Sequence, residues 1–146
     1  MATLYRRFPK RSDLVAAVFR REVDACAAEA TTLALAHPPA GALALWLQRY
    51  ARFIAAKRGL AAALHAGDPA FDALPAYFRQ NFESALAALL ARAAAVGAVR
   101  GDVAAYDLLR AVGNLSAGAT EASEGPAGQM VDLLIDGLRF GAARPG

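Results

Sequence analysis

Cysteine is nearly absent. Cys26 stands alone among 146 residues, which excludes an internal disulfide framework, and its setting in "EVDACAAEA" is that of a small apolar residue on a helix rather than a reactive thiol. No apolar run approaches the roughly 18 residues a membrane helix needs, and the N-terminus is too basic and aromatic for a secretory signal, so a cytoplasmic location and no membrane partner are expected. There are two histidines. His37 sits beside Pro38 and Pro39, and neither it nor His65 has a carboxylate or cysteine at metal-ligand spacing, so no metal, cofactor or nucleophilic constellation is expected. A glycine-rich phosphate loop is also missing. Asp68 and Asp72 straddle "PAF" as turn residues, and Asp132 and Asp136 fall on one helical line, so paired acid and base roles have no site, and the chain does not read as an enzyme.

What is present is alanine, arginine and helical periodicity. A chain of this length is one domain by the usual prior, and it buries roughly two thirds of its unfolded surface. The net charge of +3 is unevenly spread: residues 1 to 21 carry Arg6, Arg7, Lys10, Arg11, Arg20 and Arg21 against Asp13, a net +5, which leaves −2 for the remainder. Such a patch suits a polyanion-binding face, because each phosphate contact releases condensed counterions; a solvated basic helix start has the same appearance.

No segment alternates as a strand does. The first full helix runs from Ser12, a candidate N-cap, to about Leu35, with Phe19, Val23, Cys26, Ala30 and Leu33 along one face. "HPP" stops it. A second helix spans about Ala40 to Arg58 with Leu43, Leu47, Tyr50 and Ile54 on a stripe that Trp46 and Phe53 flank. After a short helix and turns in "GLAAALHAGDPAFDALPA", a long helix runs from Pro75 to about Val96 on Phe78, Phe82, Leu86, Leu89 and Ala93. Asp102 is placed to cap the next, bearing Tyr106, Leu108, Leu109, Val112 and Leu115.

In the last helix, "QMVDLLIDGLRFG", only Asp132, Asp136 and Arg139 form a polar line, and Met130, Val131, Leu133, Leu134, Ile135, Leu138 and Phe140 occupy the remaining circumference. An apolar arc that wide needs burial on two sides. The chain's own core supplies one, and a second copy supplies the other, through Leu108, Leu109, Val112 and Leu115 of one helix and Met130, Leu133, Leu134, Gly137 and Leu138 of the last. Gly113 and Gly137 permit close helix approach.

"TLYRRFPKRSDL", residues 3 to 14, resembles the segment joining the recognition helix to the fourth helix of TetR-like transcriptional regulators, roughly T-L-Y-x-H-F-x-x-K-x-x-L. Thr3, Leu4, Tyr5, Phe8 and Leu14 match, Arg11 takes the basic position, and Arg7 replaces the usual histidine. "AAKRGLAAAL", "AAAVGAVRGDVAAYDLLRAVGNL" and "MVDLLIDGLRFG" look like the ligand-binding and dimerisation half of that family. The resemblance implies an all-α fold, with residues 1–11 a remnant of the helix-turn-helix domain and 12–146 the ligand-binding and dimerisation domain. By resemblance, Thr3, Tyr5 and Arg11 fall on phosphate-contacting positions, which position a protein on DNA without specifying sequence. The helices that read bases precede these residues in the family, so specific operator binding is expected only of a form with an intact N-terminus.

The same resemblance sets the second and long helices around a pocket for a small apolar or aromatic ligand. Trp46, Tyr50, Phe53, Ile54, Tyr77, Phe78, Phe82 and Leu86 are its candidate walls, with Tyr50, His65, Tyr77, Asn81 and Asn114 as polar groups. Aromatic stripes at helical spacing also occur as plain core. The function implied is a ligand-responsive regulator, a repressor by type. A helical small-molecule carrier or dimerisation module without DNA binding is the alternative from another class.

Overall fold

Two adjacent prolines shape the first corner. Pro38 holds the extended backbone (φ −58°, ψ 156°) that halts one helix, and Pro39 opens the next, where its missing N–H is one that a helix start leaves unpaired anyway. The computed structural model describes residues 11–57, 67–117 and 124–141. They form α1 (Arg11–Ala36), α2 (Pro39–Ala56), α3 (Leu74–Ala95), α4 (Ala105–Ala117) and α5 (Glu124–Phe140), with a 3-10 turn at Pro69–Phe71. No strand occurs among the described residues, and the fold is all-α.

The first three helices start and stop close to where periodicity puts them. Three local expectations differ. Ser12 is already helical, one residue inside α1. Asp102 does not cap α4: its carboxylate accepts from Arg100 Nε at 2.6 Å and Nη2 at 2.8 Å, and this two-pronged charge-assisted bond outcompetes a single backbone N–H. The last helix starts at Glu124, well before Gln129, and takes Pro126 into its first turn, where proline is tolerated. The short helix expected before Gly67 lies outside the described residues.

Gly97 ends α3. It adopts φ +72°, its N–H donates to Ala94 O at 3.0 Å, and the Ala98 N–H reaches Ala93 O at 2.9 Å, the paired bonds of a Schellman termination. Beyond this turn the Arg100 N–H donates to Leu138 O at 2.9 Å, which pins the α3–α4 connection to α5.

The central helix is α2, which packs on all four others. That explains why Trp46 and Phe53, expected at the edges of its stripe, are as buried as Leu43 and Leu47. The Trp46 indole is fully buried and donates to Cys26 O at 2.9 Å, so its one polar group is satisfied. Val23, Cys26 and Ala30 of α1, Phe82, Leu86 and Leu89 of α3, and Val131, Ile135 and Leu138 of α5 close around it. A smaller cluster of Ala16, Phe71 and Leu74, with Phe19 and Phe78 against it, secures the start of α3 to α1. None of the described helices is long and apolar enough to cross a membrane.

Candidate functional site

The aromatic residues of α2 and α3 meet edge to face. Tyr50 and Phe82 have ring centroids 5.0 Å apart at 69°, Phe53 and Phe82 5.4 Å apart, and Trp46 stacks on Tyr50 at 5.6 Å and 9°. Where α4 joins them, a cleft of about 250 Å³ opens. Its floor is Tyr50, Phe82 and Leu109, all buried, and its rim carries the exposed Arg79, Arg110 and Asn114.

Tyr50 is 8% exposed, and its hydroxyl has no hydrogen-bond partner among the described residues. Burial, helped by the nearby Cys26, pushes the phenol up to about 12, so it is a neutral donor at physiological pH. Gly113 clears the space beside it: a Cβ there would stand 3.5 Å from Tyr50 Oη. At the rim, the guanidinium carbon of Arg79 lies 3.7 Å from the Tyr106 ring centroid and that of Arg110 lies 5.8 Å from it. Arg79 Nε also donates to Glu83 Oε2 at 3.1 Å; Arg110 has no ion-pair partner among the described residues.

Of the expected pocket residues, the cleft gathers Tyr50, Phe78 and Phe82, with Asn114 at its rim. Trp46 and Leu86 are fully buried core instead: α2, which carries Trp46, is covered by all four other helices, and Leu86 faces that core from α3. Ile54 is half-buried against that core. Tyr77 points elsewhere and donates its hydroxyl to Asp24 of α1, a bond that together with burial raises its phenol. Phe53 and Asn81 line other cavities, and His65 lies outside the described residues.

Those other cavities are less suited to a ligand. A groove of about 710 Å³ between α1 and α3 has six alanines among its thirteen lining residues, and two of its polar groups are already bonded: the Asn81 amide donates to Tyr77 O at 2.8 Å, and the exposed Asp24 accepts from Tyr77. A cavity of about 390 Å³ between α1 and α2 has Arg49 paired with Glu29 at 3.0 Å, and Lys57 with Glu22.

The second face of α4, with α5, forms an apolar groove of about 410 Å³. Leu115, Met130 and Leu133 are exposed along it at 38%, 45% and 62%, Leu134 is half-buried, and Gly137 leaves a gap open to solvent. Four residues expected at a subunit interface are buried within this chain: Leu108 and Leu138 form the groove's floor, whereas Leu109 and Val112 turn inward to the core. The core side of so short a helix consumes half its apolar arc. On the polar side of α5, Gln48 Nε2 donates to Asp132 at 2.9 Å. Of the DNA-contacting candidates, Arg11 is exposed at the first residue of α1, and Thr3 and Tyr5 lie outside the described residues.

Arg79 and Arg110 are functional candidates that the sequence analysis did not single out. A signal was available: Tyr106 and Arg110 are four apart on one helix face, the spacing at which a cation reaches a ring.

Over residues 38–140 the chain matches the family described as "Transcriptional regulator SbtR-like, C-terminal domain". Among solved structures it is similar to the TetR transcriptional regulator SCO0520 from Streptomyces coelicolor, with 35% identity and a TM-score of 0.81, covering 94% of this chain and 79% of that one. No curated protein matches. With the family match spanning most of the chain and a relative of that identity sharing its fold, the chain belongs to the TetR family of transcriptional regulators and carries the family's C-terminal helical domain.

Proposed function

We propose that this chain is the sensing and pairing part of a ligand-responsive repressor acting in the cytoplasm, with residues 12–146 forming that domain. TetR-like regulators generally dimerise and bind DNA and small ligands, which makes each part of the reading available to this chain. The observation that carries it is the double duty of α4. Leu109, Arg110, Gly113 and Asn114 line the cleft at Tyr50, while Leu108 and Leu115 of the same helix line the apolar groove with α5. A ligand that seats better in one arrangement of α4 favours that arrangement, and the helix carries the bias to the pairing face.

The groove takes a second copy of this chain, through Leu115, Met130, Leu133, Leu134 and Gly137. An apolar strip of this kind on a surface helix is stable in water when covered. For DNA, the reading places a backbone contact at Arg11 and assigns no base-specific discrimination to residues 1–146 themselves.

Thermal melts of the chain against a chemically broad set of small apolar and aromatic compounds test the sensing claim. A compound that prefers the folded chain raises the midpoint in proportion to its occupancy. A flat response across the whole set refutes a sensing role.

A further inference from the structure

We infer that the cleft at Tyr50 is built for a small aromatic carboxylate: ring on the apolar floor, carboxylate between Arg79 and Arg110, and a polar ring substituent on Tyr50 Oη. This rests on the sensing reading above and adds the chemical class of the ligand.

Size sets the first limit. A cavity of about 250 Å³ falls below the roughly 300–1,000 Å³ of sites for drug-sized ligands. It exceeds the roughly 150 Å³ that admits a benzene ring. One ring with one or two substituents fits between these bounds. The floor suits such a ring, since Phe78, Phe82 and Leu109 present apolar surface and Phe82 is already held edge to face by Tyr50.

Charge sets the second limit. Two guanidiniums converge on the Tyr106 ring at the rim, and like charges brought together repel unless an anion lies between them. Glu83 engages only the Nε of Arg79, so the paired terminal nitrogens that match a carboxylate have no hydrogen bond among the described residues. Asp107, the neighbouring acid on α4, is exposed and does not line the cleft. The rim therefore favours an anion over a neutral or cationic ligand.

The third element is the phenol. The Tyr50 side chain is more than nine-tenths buried but its hydroxyl reaches the cleft, where, without a protein partner among the described residues, it is open to a ligand's donor or acceptor. Because it remains neutral, it serves a hydroxyl or carbonyl substituent and does not repel the anion.

The test titrates the 146-residue chain by calorimetry with para-hydroxybenzoate, its neutral amide para-hydroxybenzamide and its cationic amine para-hydroxybenzylamine. The carboxylate is expected to bind at least about tenfold more tightly than either isostere, to weaken with added salt, and to lose about tenfold in Arg79→Gln and in Arg110→Gln. Tyr50→Phe is expected to remove the preference for para-hydroxybenzoate over benzoate. Melting midpoints of the three variants show that each remains folded. Equal binding of all three charge forms, unchanged in the arginine variants, overturns the carboxylate assignment and leaves a sensing role intact. If none of the three binds, the carboxylate assignment is overturned, and the broad compound set decides the sensing role separately.

Discussion

The guanidinium carbon of Arg79 on α3 lies 3.7 Å from the centroid of Tyr106 on α4, and this contact joins the two helices at the rim of the cleft. A cation over a ring near the surface, as the half-buried Tyr106 is, contributes about 0.5–1 kcal/mol. Tyr106→Leu is therefore expected to lower the unfolding free energy in urea by about that much, and Tyr106→Phe, which keeps the ring, to stay near wild type. Equal losses in both variants would show that the ring's charge interaction contributes nothing.

Gly113 gives a substitution whose two effects oppose each other. It sits within α4 with a helical backbone, and a Cβ there meets Tyr50 Oη at an ordinary 3.5 Å contact, so Gly113→Ala is expected to stabilise the chain by about 0.5–1 kcal/mol through helix propensity. The same methyl crowds the Tyr50 hydroxyl. A higher melting midpoint together with weaker ligand binding is the expected pair; a gain in both would place the ligand away from Tyr50.

Tyr50 and Cys26 also set how the fold responds to alkali. Burial raises the phenol from 10.0 to about 12 and the thiol from 9.0 to about 11, so both hold their protons more tightly folded than unfolded. Their contribution is complete below the unfolded values and is lost as pH rises through the folded ones. For Tyr50 the amount at stake is on the order of 2–3 kcal/mol. Denaturant melts from neutral pH upward should show stability falling above about pH 9, with a shallower fall beyond pH 10 in Tyr50→Phe.

The architecture was legible because the apolar spacing of α1, α2 and α3 is regular and prolines or glycine punctuate the ends. Which aromatic residues face a cavity was not legible. Trp46, Tyr50 and Phe53 fall on neighbouring positions of one helix, and only the arrival of α4 beside Tyr50 separates a cleft wall from a sealed core. Likewise the sequence showed that α5 needs cover on two sides, but the sorting of Val131, Ile135 and Leu138 inward and Met130 and Leu133 outward depends on where α2 lies. Asp102 shows the limit of local rules: its position suits a helix cap, and the guanidinium of Arg100, two residues away, holds its carboxylate instead.

Leu133 is the most exposed of the large hydrophobic residues lining the groove, at 62%. Leu133→Glu is expected to leave the monomer's fold and melting cooperativity intact and to shift sedimentation toward monomer, because two copies cannot desolvate a pair of like charges at their shared axis. Unchanged sedimentation in this variant would move the pairing face elsewhere.

Amide hydrogen exchange, with and without the compound that most raises the melting midpoint, tests the central claim most directly. The account predicts slowed exchange in Ala105–Ala117, extending into α5 across the pairing groove, as expected if α4 serves both surfaces. Slowing confined to α1 and the adjoining face of α3 would place the ligand in the alanine-rich groove instead and contradict the assignment of the cleft at Tyr50.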